Sequence, residues 1–151
     1  MDTPHDVARR STAPLAAMPP AIVWPRLLLT AGALLGLATV AMGAVAAHLP
    51  DRLLASGGRP MLASAVQMQG WHAMALLASG LLLERHGRSA PVLRLAGAAF
   101  LLGIVCFCTG VYALAFAGGE GWAHVIGHAA PFGGSVLMLG WLLLAWGCLR
   151  R

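Results

Sequence analysis

The stretch LLLTAGALLGLATVAMGAVAA, Leu27 to Ala47, runs for 21 residues without a charge. At a rise of about 1.5 Å per residue it reaches about 30 Å as a helix, the thickness of a bilayer's hydrocarbon core. Three more runs of similar length follow, at about 62–83, 95–117 and 131–149. In lipid no water satisfies backbone N–H and C=O groups, so a spanning segment must close its hydrogen bonds internally. The expected fold class is therefore all-α: an integral membrane bundle of four transmembrane helices.

The composition agrees. The chain is 59% hydrophobic and only 10% charged, against roughly a quarter charged in soluble domains. A soluble fold of this composition would expose large apolar patches. The 151 residues allow one membrane domain, 26–151, preceded by a Pro- and Ala-rich tail, 1–25, expected to be disordered.

Ten arginines and no lysine stand against five acids, for a formal charge of +5. The arginines do not cluster with aromatics as a nucleic-acid surface would; they sit between the apolar runs. Arg9, Arg10, Arg26, Arg85, Arg88, Arg94, Arg150 and Arg151 fall on one side, Arg52 and Arg59 on the other. The positive-inside rule then predicts both termini in the cytoplasm. Trp24, Trp71, Trp122, Trp141 and Trp146 are expected as interfacial anchors. Cys106, Cys108 and Cys148 lie in apolar runs and form no CxxC motif, so they read as small buried side chains.

Glycines recur at helical spacing: Gly32, Gly36 and Gly43 in the first run, Gly103 and Gly110 in the third, and Gly133, Gly140 and Gly147 in the fourth. Small residues in register let neighbouring backbones approach closely, and packing within the bundle is expected ahead of a dimer face.

The motifs GALLGLATVAMGAVAAH (Gly32 to His48), QGWHAMALL (Gln69 to Leu77), FCTGVYAL (Phe107 to Leu114), APFGG (Ala130 to Gly134) and LGW (Leu139 to Trp141) occur in that order. Together they resemble the DUF-423 family, small four-helix proteins of the bacterial inner membrane whose function is unknown. The resemblance covers roughly 27–149. It matches His48, His72, Tyr112 and Gly133-Gly134, and departs at Leu49-Pro50, where the family usually has Gly, and at Ala130, where it usually has Thr. His124 and His128 lie outside the family's motif positions. What the resemblance implies is an architecture and a location, not an activity.

His72 poses the functional question, because it falls well inside the second run, in its outer half. One reading is a polar network in which Gln69, His72 and Tyr112 serve one another across helices, since a buried polar group in lipid needs a partner. A second is a metal or haem site built from His48 and His72, with copper or haem as the cofactor; HVIGH, His124 to His128, also has the i, i+4 spacing of a ligand pair. A third is a small proton or solute transporter, although no acid lies within a span. No Ser-His-Asp arrangement, P-loop or dinucleotide fingerprint is present, so no enzyme is expected. The leading expectation is a non-enzymatic membrane subunit without cofactor, with the lipid bilayer, further copies or a larger membrane complex as partners and no nucleic acid.

Overall fold

The structure, a computed structural model, describes residues 20–86, 91–118 and 121–150. Its regular elements are helices: α1 Pro20–His48, a 3-10 turn Asp51–Leu53, α2 Gly58–His86, α3 Pro91–Ala117, α4 Gly121–Gly127 and α5 Ala129–Leu149. Three stretches are long and apolar enough to cross a membrane: Val23–His48, Pro91–Ala117 and Gly121–Leu149. The greater part of the expected tail lies outside the described residues. Its last residues, 20–25, are helical and open α1, so the first helix begins before the charge-free run does. Proline lacks only an N–H that a helix start leaves unpaired, and its fixed φ suits the first turn.

The ends of the helices follow from local chemistry. α1 stops ahead of Leu49-Pro50, and Leu49 N–H returns to the Val45 carbonyl. Extended Leu54 ends the 3-10 segment, Gly57 (φ 72°) takes the left-handed conformation in the turn just before α2, and Gly118 (φ 73°) takes it where α3 ends. Arg59 ties the first turn together. Its guanidinium donates to the Ala46 and Leu49 carbonyls and pairs with Asp51, satisfying acceptors that the end of α1 leaves open.

Each long helix packs antiparallel on its successor, α1 on α2, α2 on α3 and α3 on α5, while α1 and α5 share no substantial contact. The bundle is thus an open row of four long helices. Lipid tails are as apolar as leucine, so no hydrophobic force closes the row. Leu34, Leu37 and Val40 on one edge and Met138 and Leu142 on the other are exposed accordingly.

The core lies along the middle of the row: Leu28, Leu76, Leu83, Leu93, Phe100, Ile104 and Leu137. The α3–α5 seam is the most extensive. A Cβ at Gly140 would lie 2.8 Å from the Phe100 ring, and one at Gly103 2.6 Å from Leu137, while Gly133, Gly110 and Gly147 abut Phe107, Ala130 and Leu93. Gly32 abuts Leu77, Gly43 makes only ordinary contact with Val66, and Gly36 faces open space.

Candidate functional site

The inner face of α2 builds the site. Leu62, Ala65, Gln69, His72, Leu76, Ser79 and Leu83 are all buried, and their spacing alternates three and four residues, the seam of a packed helix. Three of the seven are polar. Each has a hydrogen-bond partner within the chain, and no buried side-chain N or O among the described residues lacks one.

Gln69 joins three helices. Its Nε2 donates to the Leu35 carbonyl of α1 at 3.1 Å, and its Oε1 accepts from the Tyr112 hydroxyl of α3 at 2.9 Å. The same Leu35 carbonyl accepts from Thr39 Oγ1 at 2.8 Å. Cys108 Sγ reaches the Ala65 carbonyl at 3.7 Å, a further α2–α3 link.

His72 lies one turn on. Trp141 of α5 donates its Nε1–H to His72 Nε2 at 3.1 Å, and His72 Nδ1 lies 2.7 Å from the Met68 carbonyl. A carbonyl only accepts and an indole only donates, so the bonds require the neutral ring with its hydrogen on Nδ1. Phe100 of α3 completes a cluster of rings, its centroid 6.0 Å from His72 and 5.2 Å from Trp141. One turn of α2 therefore reaches every other long helix: α1 and α3 through Gln69, α5 through His72.

The three residues expected to serve one another are divided. Gln69 and Tyr112 bond to each other, whereas His72 spends both ring nitrogens elsewhere. His72 also lies deeper than its distance from the apolar run's start implies. It is fourteen residues from Gly58 and fourteen from His86, the midpoint of α2, or ~21 Å from either end. Trp71 and Trp141 are likewise mid-helix: Trp71 faces outward, 61% exposed, and Trp141 packs on His72 and Phe100.

The structure does not bring His48 and His72 together. Gly43 opposite Val66 and Gly32 opposite Leu77 set the α1–α2 register. That register places His48, exposed at the end of α1, near the level of Met61, some eleven residues or ~16 Å along the axis from His72. No single ion spans that distance, and His72 Nε2 already accepts from Trp141. The partners missing from the sequence reading are Trp141, Phe100 and the Leu35 and Met68 carbonyls.

The comparisons with known proteins agree with this architecture. A family model described as a protein of unknown function (DUF423) matches residues 42–134. The chain is similar to a UPF0382 membrane protein of Haemophilus influenzae, 34% identical over 122 residues, covering 81% of this chain and 93% of that one. It is also similar to the UPF0382 inner membrane protein YgdD of Escherichia coli K12, 27% identical over 125 residues, covering 83% and 91%. No solved structure matches. With its three membrane-capable helices, the protein is a multi-pass protein of the bacterial inner membrane.

Proposed function

Because this chain belongs to the DUF423 family of membrane proteins of unknown function, we propose for it a role that needs no chemistry of its own: a non-enzymatic accessory subunit or small homo-oligomer with four spans and both termini in the cytoplasm. The observation that carries this reading is the closed polar inventory of the mid-membrane seam. Gln69, His72 and Ser79 all bond within the chain, and no buried side-chain N or O among the described residues is left without a partner. Intramembrane polar groups arranged this way hold helices together.

The fourth span is α2. Its 29 residues reach ~43 Å, and it runs antiparallel between α1 and α3, returning the chain from the end of one to the start of the other. It is the least apolar of the long helices, and Gln69, His72 and Ser79, which lower its apolarity, are buried. The orientation rests on arginine. Arg26, Arg85, Arg94 and Arg150 gather at one end, while at the other, among the described residues, Arg59 is paired with Asp51 and Arg52 is the one further arginine.

The open row leaves an apolar helix face at each edge, which suits lateral association with another membrane protein or a further copy. Mass measurement of the complex extracted from native membranes in mild detergent tests this: the expected result is more than one chain, or one chain with a stoichiometric partner. A lone monomer, or a catalytic turnover abolished by His72→Ala, overturns it. Reporter fusions at either terminus that report an outer location overturn the topology.

A further inference from the structure

We propose that His124 of the short helix α4 and His128, the residue between α4 and α5, form a two-histidine site for an imidazole-preferring divalent cation, Cu²⁺ foremost.

α4 divides its residues among three directions. Ala123 and Gly127 are buried, and Gly127 abuts Leu114 of α3. Trp122 and Ile126 lean to one flank, over an apolar groove shared with Thr109, Tyr112 and Phe116. His124 and His128 share the other flank, and both are exposed.

The two rings are close enough to serve one ion. The residues stand at i and i+4, one above the other on the helix face. Their ring centroids lie 4.4 Å apart with the planes at 88°. A metal about 2.0–2.1 Å from each ligating nitrogen lies ~3.2 Å from each ring centroid, so two cis ligands at ~90° put the centroids ~4.5 Å apart. A tetrahedral angle would need ~5.2 Å. The observed separation is close to the cis value, and Cu²⁺ heads the affinity order for nitrogen ligands.

A second observation concerns the tautomer. His128 Nδ1 lies 2.7 Å from the His124 carbonyl, which can only accept, so the ring carries its hydrogen on Nδ1 and leaves the Nε2 lone pair outward. A backbone carbonyl holding the far ring nitrogen is the usual support of a metal-bound imidazole. No group of three or more His, Cys, Asp or Glu is assembled among the described residues. Water or a partner's side chain would therefore fill the remaining positions, which suits exchange of the ion rather than permanent storage. On the topology proposed above, the site faces outward.

The test uses untagged full-length protein in mild detergent, titrated with CuCl₂ and followed by calorimetry and electron paramagnetic resonance. The expected result is one saturable equivalent of Cu²⁺ with two nitrogen ligands. It should weaken by roughly tenfold or more in His124→Ala, and in His128→Asn, whose amide keeps a donor for the His124 carbonyl while removing Nε2. His5→Ala and His48→Ala should leave it unchanged. His48, His124 and His128 are exposed, and unchanged thermal unfolding checks that all four variants fold. No saturable binding, a signal that survives the combined His124 and His128 changes, or one lost with His5 or His48 overturns the proposal.

Discussion

Trp141 Nε1 donates to His72 Nε2 at 3.1 Å, a bond between residues 69 apart in sequence that links α2 to α5 past the Phe100 ring. Those two helices are not packing neighbours in the row, so the side chains bridge what the backbones do not. With Nδ1 turned to Met68, the ring has no free nitrogen. This is the physical case for reading His72 as a helix-to-helix contact rather than a ligand or proton carrier.

Trp141→Phe keeps the ring against Phe100 and removes the donor. The expected cost is about 0.6 kcal/mol, the usual size of such a bond between membrane helices. His72→Ala should cost more, because it also opens a cavity beside Phe100. In a double-mutant cycle by denaturant unfolding in detergent, the pair should couple by a few tenths to ~1.5 kcal/mol. Strict additivity would show that the bond contributes nothing.

Tyr112→Phe and Gln69→Leu probe the second node. Tyr112→Phe leaves Gln69 its bond to Leu35 and should cost about 0.5–1 kcal/mol. Gln69→Leu strands the Tyr112 hydroxyl as well and should cost more, about 1–3 kcal/mol. Combining the two should recover part of that loss, since the stranded hydroxyl goes with its partner. Thermal unfolding of the three variants gives the order directly, and a double variant less stable than Gln69→Leu would contradict this pairing.

Gly133 and Gly36 form a matched contrast. A Cβ at Gly133 meets the Phe107 backbone, which cannot swing aside, while one at Gly36 meets nothing within 4 Å. Gly133→Ala should therefore lower stability by about 1–3 kcal/mol. Gly36→Ala should be neutral or slightly stabilising, by up to about 1 kcal/mol from helix propensity. Loss of an oligomer in Gly36→Ala without loss of monomer stability would instead place Gly36 in an interface between copies.

Arg59 holds the Ala46 and Leu49 carbonyls and the Asp51 carboxylate together. Arg59→Ala should loosen the end of α1 and the 3-10 turn, seen as faster hydrogen exchange across 46–54, with exchange in the α3–α5 seam unchanged. Uniform acceleration through the whole chain would show that the clamp supports the entire fold rather than one corner.

The glycines show both what the sequence carries and where it stops. Gly103, Gly110, Gly133, Gly140 and Gly147 repeat at seven-residue spacing, and all five sit at close approaches of α3 and α5. Gly36 belongs to an equally regular pattern and touches nothing. Spacing marks a helix face; it does not say what lies opposite. The buried face of α2 was readable in the same way, since Leu62, Ala65, Gln69, His72, Leu76, Ser79 and Leu83 alternate by three and four.

The helical class was determined by the sequence alone, because lipid allows a spanning backbone few other ways to satisfy its hydrogen bonds. So were the approximate helices and the asymmetry of arginine between the two ends. The tertiary structure decided the partners. Gln69 finds a carbonyl 34 residues back and a hydroxyl 43 residues on, and His72 an indole 69 residues on. Such pairings depend on how each helix is rotated and how deep it sits, to within an ångström or two. It also decided that the helices form an open row. Between apolar surfaces in an apolar solvent, the lateral order of helices rests on close packing and a few hydrogen bonds. Neither leaves a mark in composition or period.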